Sequence, residues 1–268
     1  MTTGDDTTGP ARAGHLEALF SLSGRTALVT GGSSGIGLAM AEAIGRAGAA
    51  VVIVARRRPE LDAAAERMRA HGVRVAAISA DLGDPADVLR VCDQAAGFFG
   101  EIDILANVAA NNIRRPMHEL TTEDYEATMR VNVTAPYTLG RHFGPRMAAR
   151  GWGRIINVGS QQSISAFGDS GVYGVSKAAI TGLTRSQAEA WSRHGVRSNT
   201  LVPGFVLTPL TAPAQAIPGR AEALAARSMI GRNGVPADFA GVAVLLAGDA
   251  AEYITGQIIC VDGGFSVH

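Results

Sequence analysis

Short apolar runs alternate with longer stretches of helical character along most of the chain. The runs fall at residues 26–30, 51–54, 73–78, 102–105, 154–158, 196–202 and 257–261. Val51, Val52, Ile53 and Val54 have no polar interruption, as expected of a strand covered on both faces. Glycine-rich sequence follows the first run and leads into a helix through Ala47. Pro59 suits the first position of a helix that runs to His71 and stops at Gly72. Asp84 caps a helix that starts at Pro85 and ends before Gly100. Thr121 or Thr122 opens a long helix, with Glu123 and Asp124 in the first turn where the helix dipole favours acids. Tyr173 to His194 reads as a helix stopped at Gly195, and Pro236 starts another through Leu246. This alternation predicts a single α/β domain over residues 15–268, a doubly wound parallel sheet with right-handed crossovers and helices on both faces. Residues 1–14 read as a flexible tail. Residues 203–233, rich in Ala and Pro, break the rhythm, and a lid is expected around 207–233.

Composition narrows the classes. At 268 residues the chain suits one α/β domain, and its core needs no disulfide or metal staple. Lys plus Arg is 24 and Asp plus Glu is 24. A net charge of zero argues against a nucleic-acid surface, which carries a basic excess, and against charge-driven disorder. Asp5 and Asp6, with no apolar run beside them, do not make a signal peptide. No 18-residue uncharged apolar stretch predicts a membrane span. Cys92 and Cys260 lack any CxxC or Cys/His spacing and read as reduced, buried thiols of a cytoplasmic protein. The six histidines are scattered without ligand spacing, so no metal site is expected. Glycine is the oddity, at 33 residues. Without a triplet repeat, it must serve turns and close backbone approaches.

One such cluster carries chemistry. The run ending at Thr30 leads into Gly31-Gly32-Ser33-Ser34-Gly35-Ile36-Gly37, with a helix behind it. A glycine turn between a buried strand and a helix lets the backbone approach a pyrophosphate, which meets the positive end of the helix. Gly31, Ser33, Ser34, Gly35, Ile36 and Gly37 are therefore candidate dinucleotide contacts, although glycine clusters also occur in plain turns. An acid at the end of the second strand would read the ribose of NAD. Arg56, Arg57 and Arg58 stand there instead. A guanidinium suits a ribose 2′-phosphate, so Arg56 is assigned to NADP, preferred over NAD, while Arg57 and Arg58 fit a solvated helix start. Asp81, with Leu82 beside it, follows the third strand and could accept from an adenine amino group.

Tyr173 and Lys177 are four residues apart and share a helix face. Ser160 lies just past the run ending at Val158. A tyrosine with a pKa of about 10 is a poor acid–base group at neutral pH. A nearby ammonium favours the phenolate and lowers that value, and a cationic oxidised nicotinamide acts in the same sense. Tyr173 could then pass a proton to or from a carbonyl/alcohol oxygen while hydride moves to or from the cofactor, with Ser160 holding the same oxygen. Alone, a Tyr-x-x-x-Lys spacing is common by chance. Its weight comes from coinciding with the glycine loop and the upstream serine.

From about Gly24 to the C-terminus, these features together resemble a short-chain dehydrogenase/reductase of the ordinary soluble type. The matching motifs are Thr30 through Gly37, Asp81, Asn107, Asn132 within Val-Asn-Val, Ser160, Tyr173-Gly-Val-Ser-Lys177, Pro203-Gly204 and Val261-Asp-Gly-Gly264. The resemblance implies a Rossmann-type sheet of seven strands and a homotetramer. It casts Tyr173 as acid/base, Ser160 as the positioner of the substrate oxygen, Lys177 on the nicotinamide ribose and Asn132 as the anchor of a relay water. It adds Asn107, Pro203, Gly204, Val206 and Thr208 to the cofactor contacts, Thr208 toward the carboxamide. One departure stands out: the family's Asn-Ala-Gly after the fourth strand is Asn107-Val108-Ala109 here.

Substrate loops in such sheets lie beyond the carboxyl ends of the strands. Asn112 and Arg114 in the 110–116 loop, with Gln161 and Gln162, suit a hydroxylated or anionic small molecule, and are candidate substrate contacts; ordinary surface loops would also carry such residues. The pattern resembles the sugar-acid branch of the family, the gluconate 5-dehydrogenases, although Leu207, Leu210 and Met229 make the lid apolar. A 3-oxoacyl-thioester or general ketone reductase is the alternative. It calls for a basic patch near the lid, for which Arg220, Arg227 and Arg232 are available. A non-catalytic dinucleotide sensor is the remaining class, against which the full Ser160, Tyr173, Lys177 and Asn132 set argues.

Overall fold

In the computed structural model, residues 10–168 and 170–268 are described. The strands are β1 Thr26–Thr30, β2 Ala50–Ala55, β3 Val75–Ser79, β4 Ile104–Asn107, β5 Gly153–Val158, β6 Val196–Pro203 and β7 Ile258–Val261. They form one seven-stranded sheet in the order β3-β2-β1-β4-β5-β6-β7. Every pairing is parallel, for example Val29 opposite Ile53 and Asn107 opposite Asn157. Between them run α1 Pro10–Phe20, α2 Gly35–Arg46, α3 Arg58–Ala70, α4 Pro85–Phe99, α5 Thr122–Met129, α6 Ala135–Ala149, α7 Gly171–Trp191, α8 Ala212–Gln215, α9 Arg220–Ala226 and α10 Ala240–Ala247.

Strand period two sorts the apolar residues onto two faces. Ala27, Val29, Val51 and Ile53 pack with Met40, Ile44, Leu61, Met68, Phe239 and Leu246 from α2, α3 and the α10 region. Leu28, Val52, Val54 and Leu105 pack with Val88, Val91, Leu139, Phe143 and Met147 from α4 and α6. Strand order reverses at β1 and β4, so a crevice opens beyond their carboxyl ends, the usual ligand position in such sheets. Local signals behave as their chemistry requires. Asp84 accepts from Ala86 N at 2.9 Å, and Thr121 and Asp124 exchange capping bonds at 3.1 and 3.2 Å. Gly195 ends the α7 region with φ of 80°, and a Cβ there would lie 1.9 Å from the Gly151 carbonyl oxygen.

Several expectations need correction. The tail expected over residues 1–14 overlaps α1, which starts at Pro10; residues 1–9 lie outside the described residues. The long helix from Thr121 is two helices joined by a π segment, Arg130–Thr134, because inserting Asn132 inward widens the backbone there. The fourth strand lies two residues later than residues 102–105, since Ile102 and Asp103 still approach the sheet. Pro236 opens a 3₁₀ turn before α10. Cys92 is buried, but Cys260 is exposed: β7 is the edge strand, and alternate residues on it have no covering layer. Among the described residues no helix is long and apolar enough to cross a membrane.

Candidate active site

A cavity of about 320 Å³ occupies the crevice, walled by the β1–α2 loop, the ends of β2 and β3, the loops after β4, β5 and β6, the first turns of α7, and α8 and α9. The glycine turn forms because its positions demand it. Gly31 has φ of 68° and Gly35 φ of 55°, which other residues adopt only at a cost. A Cβ on Gly37 would lie 2.2 Å from the Gly31 carbonyl oxygen. Ser34 precedes α2 without capping it through its side chain, so the first helical N–H groups are left for a ligand. Gly35 faces Thr208, whose Cγ2 would lie 3.2 Å from a Cβ there, so the loop after β6 meets the glycine loop.

At the ends of β2 and β3 the three arginines separate. Arg57 pairs with Glu60 at 2.8 Å and Arg58 with Asp62 at 2.8 Å. Arg56 is exposed, lines the cavity, and makes no ion pair among the described residues. Asp81 and Leu82 line the same end.

Tyr173 and Lys177 project from the first turns of α7 and are both almost fully buried. Ser160 follows β5, caps a 3₁₀ turn, and accepts from Gln162 N at 3.1 Å. Its hydroxyl stands close enough to the Tyr173 phenol to favour the phenolate. Lys177 Nζ donates to the Val158 carbonyl oxygen at 2.7 Å and lies 5.7 Å from the centre of the Tyr173 ring. It is the chain's single lysine. The expected lowering of the tyrosine pKa is not present in the protein by itself. Burial pushes the Tyr173 phenol up to about 12, against the pull of Ser160. Burial likewise pushes the Lys177 ammonium down to about 8. Desolvation disfavours both charged forms and outweighs their mutual help at this separation.

Of the residues expected to contact cofactor, Gly31, Ser33, Ser34, Gly35, Ile36, Gly37, Arg56, Asp81, Leu82, Tyr173, Lys177, Pro203, Gly204, Val206 and Thr208 all line the cavity. Asn107 does not. Its amide donates to Asn157 Oδ1 at 2.8 Å, joining a buried network with Thr184, Gln187 and Ser198. Its side chain holds β4 to β5 rather than facing a ligand. Asn132 also stands behind the wall. It accepts from Asn111 N at 2.9 Å and donates to the Asn111 carbonyl and to Ser176 Oγ, each at 3.0 Å. Ser176 Oγ in turn donates to the Tyr173 carbonyl oxygen at 2.8 Å. The π segment thereby ties the β4 loop to the helix that carries Tyr173. The Val108-Ala109 departure is absorbed by Thr30, whose Oγ1 accepts both backbone N–H groups at 3.0 and 3.1 Å.

Asn112, Arg114, Gln161 and Gln162 line the cavity as expected. Arg114 donates to the Gly168 carbonyl at 3.1 Å, and Gln161 reaches Asp262 at 3.5 Å. The side-chain oxygens of Asn111, Asn112 and Gln162 are buried without a donor. Sequence reasoning did not single out Phe167, Phe205 or Leu224, which add apolar wall; their only signal is proximity to the loops after β5 and β6.

The geometry has close counterparts. The family model described as enoyl-(acyl carrier protein) reductase matches residues 31–266. Gluconate 5-dehydrogenase from Gluconobacter oxydans is 36% identical, with 93% of this chain and 97% of that protein covered. Galactitol 2-dehydrogenase (L-tagatose-forming) from Cereibacter sphaeroides is 38% identical, over 93% and 98%. A crystal structure from Beutenbergia cavernae, described as an NAD(P)-dependent gluconate 5-dehydrogenase with bound NADP, superposes with a TM-score of 0.89 at 39% identity, covering 93% of this chain and 99% of that one. With this sheet order, glycine turn and Ser160–Tyr173–Lys177 grouping, the chain belongs to the short-chain dehydrogenase/reductase family.

Proposed function

We propose that the chain is an NADP(H)-preferring oxidoreductase that interconverts a secondary alcohol and a carbonyl on a sugar acid or polyol. The observation that carries this reading is convergence: Tyr173, Ser160 and Lys177 open onto the same cavity as the glycine turn and Arg56. The residues fit the cofactor. The uncapped start of α2 suits the pyrophosphate, and Arg56, alone of the three arginines in lacking a carboxylate partner among the described residues, suits a 2′-phosphate. Bound NADP supplies the hydride acceptor or donor. Lys177 holds the nicotinamide ribose, and Pro203, Gly204, Val206 and Thr208 support the nicotinamide end. Ser160 fixes the reacting substrate oxygen by hydrogen bonding. Tyr173 Oη takes the proton of the substrate hydroxyl during oxidation and returns it to the oxygen during reduction. Asn132 sets the position of α7 and anchors a relay water. The orphaned oxygens of Asn111, Asn112 and Gln162 accept from substrate hydroxyls, which supports a polyhydroxylated ligand.

The acyl-thioester alternative draws on the description of the matched family model, but its basic patch does not assemble. Arg232 is held by Asp238 at 2.7 and 2.8 Å, and the Arg227 guanidinium lies 4.3 Å over the Phe265 ring. A homotetramer in the cytoplasm, with residues 207–233 as the lid, completes the proposal; exposed Leu89, Phe98, Tyr125 and Tyr137 offer apolar surface for subunit contacts. Nicotinamide absorbance during incubation with sugar acids, polyols and ketones tests the reading. Turnover of polyhydroxylated substrates with NADP is expected. Cofactor binding without turnover across the panel points to a sensor.

A further inference from the structure

We propose that Arg220, carried by the lid, reads a carboxylate on the substrate and makes the chain an oxidoreductase of sugar acids rather than of neutral polyols. This rests on the functional reading above and deepens it. Charge is distributed unevenly along the cavity wall. Its lining holds one carboxylate, Asp81, at the end of β3, and five cationic side chains: Arg56, Arg57, Arg114, Lys177 and Arg220. Four of the five have their duties accounted for. Arg57 is paired with Glu60, Arg56 stands beside β2 for the 2′-phosphate, Lys177 is held by Val158, and Arg114 reaches the Gly168 carbonyl.

Arg220 is different. It opens α9 and is half-buried, sharing the wall with the apolar Leu210, Ala214 and Leu224. No ion pair or side-chain hydrogen bond to it occurs among the described residues, whereas the other lid arginines, Arg227 and Arg232, are engaged. A guanidinium that lines a cavity with its charge unpaired among the described residues is open to an anion entering that cavity. A carboxylate meets it with two parallel hydrogen bonds; an alditol offers no charge. The wall then divides its labour: the Asn111, Asn112 and Gln162 oxygens accept from hydroxyls, and Arg220 takes the carboxylate. Since Arg220 belongs to the lid, an acid substrate also draws the lid onto itself.

Steady-state kinetics with NADP on gluconate and on glucitol, its neutral counterpart of equal length, tests this in the wild type, Arg220→Gln and Arg220→Lys. The wild type is expected to favour gluconate in kcat/KM by about tenfold or more. Arg220→Gln is expected to lower kcat/KM for gluconate by about 10- to 100-fold, as the loss of a charge-assisted bond predicts. The loss should fall on KM, with glucitol kinetics and NADP Kd unchanged. Arg220→Lys should recover part of it. Equal losses on both substrates, weakened NADP binding, or unchanged gluconate kinetics would each overturn the assignment. Turnover of neither substrate by the wild type would remove the underlying functional reading as well, an outcome distinct from a working enzyme indifferent to the variant.

Discussion

The Nζ of Lys177 donates to the carbonyl oxygen of Val158 at 2.7 Å, so a backbone acceptor at the end of β5 holds the amine beneath Tyr173. Burial lowers its pKa to about 8 from an ordinary 10.5. The unfolded chain therefore binds the proton more tightly than the folded, cofactor-free protein. Between about pH 8 and 10.5 the unfolded state carries more protons, and stability gains from Lys177 as pH rises through that window. Cys92 acts in the opposite sense: burial raises its thiol from 9.0 to about 11, so that its contribution is lost as pH climbs through that range.

Two measurements isolate the lysine. With one lysine in the chain, lysine-labelled protein gives a single side-chain NMR signal, expected to titrate near pH 8 without cofactor. Urea unfolding at rising pH should show the wild type gaining on Lys177→Met, in which Cys92 behaves alike. A titration near 10.5 would mean that the amine is hydrated in solution.

Under the proposed function, Arg56 sets the choice between the two nicotinamide dinucleotides. Arg56→Ala is expected to weaken NADP binding by about 10- to 100-fold, the scale of one charge-assisted contact, and to leave NAD nearly unaffected. Calorimetric titration with each cofactor reads the difference. Equal effects on both would place the 2′-phosphate elsewhere.

Arg154 predicts a stability effect remote from the chemistry. Its side chain is fully buried, donates to the Gly248 carbonyl at 3.0 Å, and meets Asp249 and Glu252 at 3.2 and 2.8 Å. Arg154→Ala leaves the Gly248 carbonyl without its donor and opens a void between β5 and the segment after α10, while the half-exposed Asp249 and Glu252 take up water. Loss of the donor to a buried acceptor costs about 1–3 kcal/mol. Chemical denaturation should show a drop of that order, with NADP affinity retained under native conditions; a change under about 1 kcal/mol would contradict this account.

Much of the site was legible because its local chemistry is local in sequence. Gly31 through Gly37 form a turn whose conformation demands glycine, and Tyr173 and Lys177 share a helix face by spacing alone. What was not legible depends on distant partners. Asn107 sits at the cavity end of its strand, yet its side chain turns to Asn157, 50 residues away. The π segment at Asn132 has no Pro or Gly to announce it, and its cause is the inward pull of Asn111 and Ser176. Cys260 lies in an apolar run and reads as a buried thiol, and only the strand order makes it an edge residue. The raised Tyr173 pKa depends on burial, which no residue spacing reports.

The central claim, that Tyr173 moves the substrate proton, is tested most directly by single-turnover reduction of NADP with gluconate in Tyr173→Phe beside the wild type. Phenylalanine keeps the ring and removes only the oxygen, so packing in this buried position is retained. The account predicts a fall in rate of about 10²–10⁴-fold, the usual weight of general acid–base catalysis, with NADP Kd unchanged. A variant that reduces NADP within a few-fold of the wild-type rate would contradict it.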